Sequence, residues 1–374
     1  MKVTVCRPQE LGCTELQRWD DLGQRAPGTR HPFLSARFAV LAGAVRSDAR
    51  VAVLEQDGRT VGFWPFSVGR SRIARTIAPG YCNYEGLVHE AGLVWDWRSV
   101  IDQCGLSGCE FGGLAQHQAP AVGTTPTATS VMDLGAGWDA YLSHARAAHK
   151  NYFRQVLRCQ RRMAREHEVS YREDDPSEEA LAWLMDLKSR QCRERGWRDV
   201  FKEGWARDLT RKAATAKDQG LTGLVSTIRL DGEVVTAQLN LRTGSTQVPW
   251  FICFDPRYAS LKPGVVAFLY TGEDAARAGV DRIDLGRGAE SFKRFWANDH
   301  DHLAQGFVGT GGVPSGMALL ARAPGAASRL LQRHPQGEQA VERAIQRTRR
   351  VGYRVGRPRG TAAGAAPAAT DPHP

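Results

Sequence analysis

Asp284, Glu290 and Lys293 crowd a glycine-rich turn, Gly286-Arg287-Gly288. A carboxylate able to take a proton, next to a cation able to hold a phosphate or a developing oxyanion, suits transfer to an amine. The attacking amine must be neutral, and the carbonyl oxygen gains charge as it is attacked. Asp284 or Glu290 is the candidate base or amine-orienting carboxylate, and Lys293 the candidate anion contact. The same spacing fits plain architecture, with Asp284 capping the turn and Lys293 paired to Glu290 at i, i+3.

The elements that would position these groups are legible upstream. Trp250 to Phe254 has the aromatic, β-branched composition of a buried strand, which Asp255-Pro256 ends. Lys262-Pro263-Gly264 opens a helix with Val265, Val266, Phe268 and Leu269 at helical spacing. The free N–H groups of such a helix start favour anions, and Lys262 adds a cation. Asp281 to Leu285 is a second strand that delivers Asp284 to the turn. Asp255 and Tyr258 are candidate substrate contacts, as are Asn83 and Tyr84 in the polar-aromatic turn Pro79 to Glu85. His300-x-His302 has no further ligands nearby, so no metal is expected.

The rest of the chain gives the frame. Residues 10–47 read as two helices broken at Ala26-Pro27-Gly28. Asp57-Gly58 joins two β-rich runs into a hairpin, a helix lies near 93–104, and a strand starts at Gly108. Gln116 to Ser130, rich in Thr, Ala, Pro and Gly, reads as a linker or surface loop. The second half repeats the plan: a helix over Ser177 to Gly196, a hairpin around Asp231-Gly232, then strand, helix and strand. The recurrence predicts two similar α/β units side by side. Between them, Ala145 to Arg165 carries Arg146, Lys150, Arg154, Arg158, Arg161, Arg162 and Arg165 with no acid. That run is either a solvated helix face or a contact for a phosphorylated donor or acceptor.

Composition narrows the class. Apolar content of 42% and charged content of 24% belong to a globular chain of 374 residues, enough for two domains. From Ser315 onward ten arginines face three acids, so about +7 of the net +10 sits in that tail and about +3 elsewhere. A nucleic-acid reading of the whole protein is therefore weak. Eight scattered cysteines show no metal spacing and read as thiols of a reducing compartment. With neither a signal-peptide core nor a long apolar run, a cytoplasmic location is expected.

These residues resemble the CelD-like branch of the GNAT acyltransferases, a group named after a cellulose-biosynthesis protein and related to the FemAB peptidyltransferases. The likeness spans roughly residues 30–305. It is carried by the Asp231-Gly232 hairpin with Ala237, the Trp250 strand, Asp255-Pro256-x-Tyr258 and Pro263-Gly264. It is carried further by Asp284-Leu-Gly286-x-Gly288-x-Glu290-x-x-Lys293, and upstream by Leu184-x-x-Leu187-Lys188-x-Arg190 with Arg195-Gly196. Phe292 stands where the family usually has Tyr, which removes a phenolic proton donor. The resemblance implies two tandem GNAT-like units of α/β (α+β) class: residues 1–125, a linker and basic helix over 126–176, a donor-binding unit over 177–314, and an Arg/Ala/Pro-rich tail over 315–374. It implies acyl-coenzyme A as co-substrate, contacted by Trp250, Lys262, Gly264 and Val265. The acceptor would be an amino sugar, glycan or similar amine in polysaccharide or envelope synthesis. The usual GNAT phosphate loop is absent, and Arg257 to Gly264 is a loose analogue. Alternatives are a FemAB-like use of aminoacyl-tRNA, its acceptor stem on the basic helix, and a non-catalytic binding module. The tail could dock on a membrane surface or a protein.

Overall fold

Two dipeptides, Asp57-Gly58 and Asp231-Gly232, each turn a long hairpin. All four residues have positive φ, at 52°, 73°, 51° and 85°. That is the backbone of a two-residue turn whose twist matches right-twisted strands, and Asp-Gly adopts it at low cost. The computed structural model describes residues 1–309 apart from 26, 27, 70, 219 and 289. The tail expectations for 315–374, including its docking role, lie outside the described residues.

The first half runs β1 (Lys2–Cys6), α1 (Cys13–Arg25), α2 (Ala36–Val45), β2 (Ala49–Gln56), β3 (Arg59–Val68), β4 (Ile73–Arg75), β5 (Val88–His89), α3 (Trp97–Gln103), β6 (Gly108–Ala115) and β7 (Thr124–Asp133). The second runs α4 (Trp138–Ala148), α5 (Lys150–Glu166), β8 (Val169–Arg172), α6 (Glu178–Glu194), α7 (Gly204–Ala214), β9 (Lys217–Asp218), β10 (Leu221–Leu230), β11 (Glu233–Thr243), β12 (Thr246–Phe254), α8 (Pro263–Arg277), β13 (Arg282–Asp284), α9 (Lys293–Trp296) and β14 (Asp299–Gly309). Among the described residues the main path of one sheet is β1-β2-β3-β4-β6-β14-β7-β13-β12-β11-β10-β8.

That order contains a repeat. β1, β2, β3 and β4 pair antiparallel in succession, and β4 pairs parallel with β6. β8, β10, β11 and β12 do the same, and β12 pairs parallel with β13. Two helices stand after the first strand of each set, and one helix before the last. The final strands are exchanged: β7 from the first half pairs with β13, β14 from the second pairs with β6, and β7 and β14 pair with each other.

This corrects the reading of Gln116 to Ser130 as a linker or loop. Its second part, from Thr124, is a strand at the centre of the sheet, joined to β14 from Val131–Asp299 to Thr124–Gly306. Threonine is a good strand former, but the partner lies some 175 residues away and leaves no local trace. Within the expected linker and basic helix over 126–176, the part before α5 is accordingly not a linker: it holds most of β7 and then α4, and α5 and β8 follow.

Packing joins the halves. α1, α2, α6 and α7 share one core, in which Trp19 stacks on Phe63 at 4.8 Å and Phe33, Phe38, Leu184, Leu209 and Phe251 are buried. On the other face α4, α5, α8 and α9 cover β13 with Phe153, Val156, Met163, Val266 and Trp296. Each such side chain contributes roughly 1.5–3 kcal/mol by leaving water. No helix among the described residues is long and apolar enough to cross a membrane.

Candidate active site

Each half of the sheet contains a gap. β4 and β6 are joined only at Ile73–Gly108 and Ala74–Cys109, and β12 and β13 only at Thr246–Arg282 and Gln247–Ile283. Beyond those pairs the parallel strands diverge. The first gap is filled by the chain itself. Glu85 N donates to Gly113 O at 2.8 Å, and Ala115 N to Glu85 O at 3.1 Å. A Cβ on Gly113 would lie 2.1 Å from Asn83 O, so glycine is what lets this segment in. The Glu85 carboxylate is buried and accepts the N–H groups of Gly112 and Gly113. Burial pushes its pKa up to about 7, against the pull of those N–H groups and of Arg287.

Among the described residues no strand pairs with β12 on that edge past Gln247. Its register against β11 steps from Phe251–Leu239 to Pro249–Asn240, leaving Trp250 as the extra residue of a β-bulge. Further along, the Ile252 and Phe254 carbonyls accept from Lys188 Nζ and Gln191 Nε2 of α6, each at 3.3 Å. The other rim is the start of α8. Lys262 is left-handed (φ 50°, ψ 46°) and offers no side-chain cap; its carbonyl accepts from Val265 N and Val266 N at 3.0 Å. Lys262 Nζ donates to Gln155 Oε1 of α5 at 2.9 Å. A Cβ on Gly264 would stand 3.0 Å from the Phe254 ring, so glycine lets α8 begin against the end of β12.

At the end of β13 a polar cluster spans the halves. Asp284 is buried; Oδ1 accepts from Gly286 N at 2.7 Å, and Oδ2 lies 3.2 Å from His31 Nε2. Phe33 N approaches His31 Nδ1 at 3.3 Å, consistent with a tautomer in which Nδ1 accepts and Nε2–H donates to Asp284. Tyr84 stacks on His31 at 4.2 Å and donates its hydroxyl to Gly28 O at 2.8 Å; burial, then Asp301 and Asp284, raises that phenol's pKa. Asn83 lies beside Gly286, its Oδ1 buried without a partner among the described residues. Lys293, also buried, donates to Gly286 O at 3.1 Å and Arg287 O at 2.8 Å and pairs with the exposed Glu290 at 2.8 Å. A small cavity lined by Asp20, Thr29, His31, Ser35 and Thr243 reaches His31 from the α1 side. Burial, helped by Asp218, lifts the Asp20 carboxyl to about 6.

The structure thus gathers Asp284, Glu290 and Lys293 with Asn83 and Tyr84. The contacts of Asp284 and Lys293 build the 284–290 turn, while Glu290 presents its carboxylate to solvent. Trp250 donates its indole N–H to Tyr81 O at 2.8 Å and meets Phe33 and Phe38 edge-on, fastening the halves together. Asp255 and Tyr258 lie elsewhere, at the approach to α8. Asp255 caps the turn over 256–261 and is held below the usual carboxylate range by Arg257; Tyr258 meets His167 edge-on. Val265 is half-buried in the α8 core, and Phe292 stacks on Phe268 at 5.3 Å. Sequence reasoning passed over His31 and Gln191 as site residues, since no local pattern marks either.

A family model described as an acetyltransferase (GNAT) domain matches residues 150–294, the span from α5 to α9. No curated protein matches the chain. Among solved structures, the C-terminal domain of a putative lysylphosphatidylglycerol synthetase from Agrobacterium fabrum is similar at 14% identity and a TM-score of 0.51, over 83% of this chain and 95% of that one. FemX is similar at 11% identity and a TM-score of 0.53, over 81% of this chain and 97% of that one. At such identities the likeness is one of fold. The matched span contains the second strand set and the first half repeats its order, so the fold is two GNAT-like units in tandem.

Proposed function

We propose that the chain moves an acyl group from acyl-coenzyme A to an amine, with the open gap of the second half as donor site and the first half as a wall of the acceptor site. One observation carries this reading: of two equivalent gaps in the sheet, the second is left, among the described residues, without a pairing strand, between a bulge at Trp250 and a start of α8 that has no side-chain cap. The residues present fit such a donor. The edge of β12 offers backbone groups to an extended chain, and Lys262 with the first turn of α8 suits an anion. N–H groups re-aimed by the bulge suit a carbonyl oxygen that gains charge. Acyl-coenzyme A, when bound, would supply the thioester carbonyl, with coenzyme A leaving as the free thiol when the amide forms.

The chain's own residues account for the remaining work. Glu290, solvent-facing at the mouth of the turn, takes the proton of the attacking amine, directly or through water. Asp284 and Lys293 position that turn, Asp284 from the Gly286 N–H and Lys293 from the carbonyls of Gly286 and Arg287. Asn83, whose buried carbonyl oxygen lacks a partner among the described residues, orients the acceptor. The resemblance to CelD-like proteins supports an amino sugar or similar amine of polysaccharide or envelope synthesis as acceptor. Free-thiol release from acetyl-coenzyme A over a panel of amines tests the reading. Glu290→Gln should lower kcat on the order of 100-fold while the donor KM stays nearly constant. Unchanged kcat would remove Glu290 from the base role, and failure to bind any acyl-coenzyme A would reject the donor. A second reading, an aminoacyl-tRNA donor, draws on the exposed arginines of α5.

A further inference from the structure

We propose that α5 is the seat of the donor's phosphate-bearing end, with Arg158 and Arg162 extending the anion site begun by Lys262; this rests on the acyl-coenzyme A reading above. The two gap-flanking helices differ in their neighbours. α3, beside the filled gap, packs chiefly on β1, β6 and β14, whereas α8, beside the open gap, has α4 and α5 against it. The basic helix therefore accompanies the open gap, and the match to the acetyltransferase domain begins at its first residue.

α5 buries Phe153, Val156, Cys159 and Met163 and leaves Lys150, Arg154, Arg158, Arg161, Arg162 and Arg165 exposed. Like charges one turn apart repel by a few tenths of a kcal/mol per pair, a cost that a mixed-charge face would avoid. Glu166 answers Arg162 and Arg165 only, and Arg154 bonds Asn151. Arg158 and Arg161 have no side-chain hydrogen bond or ion pair among the described residues. The charged face adjoins the start of α8 through a defined seam: Lys262 Nζ to Gln155 Oε1 at 2.9 Å, and Cys159 Sγ to Ser260 O at 4.0 Å. Arg158 and Arg162 follow Gln155 by three and seven residues and so stand on the same side of the helix. They are about 6 Å apart along it. Guanidinium groups at that spacing, next to an ammonium, suit the several phosphates of a nucleotide-linked thioester.

The test is titration calorimetry of the full chain with acetyl-coenzyme A, its 3′-dephospho form and S-acetyl-pantetheine. Affinity should fall in that order. Arg158→Ala/Arg162→Ala should bind acetyl-coenzyme A about tenfold more weakly, roughly 1.4 kcal/mol. It should bind S-acetyl-pantetheine like the parent, and raise donor KM with kcat unchanged. Arg158→Ala alone repeats the test without touching the Arg162–Glu166 pair. Variants that bind acetyl-coenzyme A as the parent does overturn the proposal and leave the donor reading standing. A parent chain that binds none of the three thioesters overturns both. Loss of tRNA binding by the arginine variants, with thioester binding unchanged, assigns α5 to RNA and overturns it as well.

Discussion

The His31–Asp284 contact joins two side chains 253 residues apart, both almost wholly out of water. Removing one partner from a buried pair strands the other, which typically costs several kcal/mol. His31→Ala should therefore destabilise the chain by about 3 kcal/mol in urea unfolding, well beyond what its lost apolar area explains. Asp284→Asn, which keeps an acceptor for Gly286 N, should cost less. Glu85 gives a pH signature. Its folded pKa of about 7 lies above the ordinary 4.5, so the folded chain holds more protons than the unfolded chain between those values. Its contribution is full below about pH 4.5 and is lost as pH rises toward 7. Glu85→Gln, still able to accept the Gly112 and Gly113 N–H groups, should match the parent near pH 4.5 and exceed it at pH 8 by at most about 3 kcal/mol. Paired urea titrations at the two pH values check this. The cluster was legible because Asp284, Glu290 and Lys293 share one turn. What each contact does depends on His31, Tyr84 and two carbonyls, which no local spacing announces.

Among elements, the contrast between the two gaps is the main result. Gly113→Ala would put a methyl carbon on the Asn83 carbonyl. It should expel the 83–85 segment from the first gap at a cost of more than about 2 kcal/mol, seen as a lower melting temperature with faster amide exchange at Gly112 and Ala115. Trp250→Ala removes a hydrogen bond and two ring contacts that tie the halves. It should cost about 3 kcal/mol and, if the bulge serves the donor, also weaken thioester binding. Most helices and both hairpins were readable because local signals govern them: Asp-Gly turns, Pro263 at a helix start, apolar spacing in α6. β7 was not, because a threonine-rich run becomes a strand only when a distant edge accepts it. The gaps were hidden for the same reason, since divergence of two strands is a property of the pair.

For the molecule as a whole, the exchanged strands matter most. Because β7 completes the second half and β14 the first, a cut after Asp133 should yield fragments 1–133 and 134–374 that fold poorly alone and together restore one particle. The intact body should unfold in a single transition, with tryptophan fluorescence and far-ultraviolet dichroism superimposing. Two fragments each melting cooperatively by itself would contradict this. The exchange also limits how the machine can open. A hinge between the halves would have to tear the β7–β14 ladder, whose rungs run from Val131–Asp299 to Thr124–Gly306. If the proposed transfer holds, substrates would enter past the rim beside Arg287 and Glu290 while the frame stays shut. On the acyl-transfer proposal the frame is a vice with fixed jaws, and turnover should answer to changes at Arg287 and Glu290 far more than to anything that stiffens the seam.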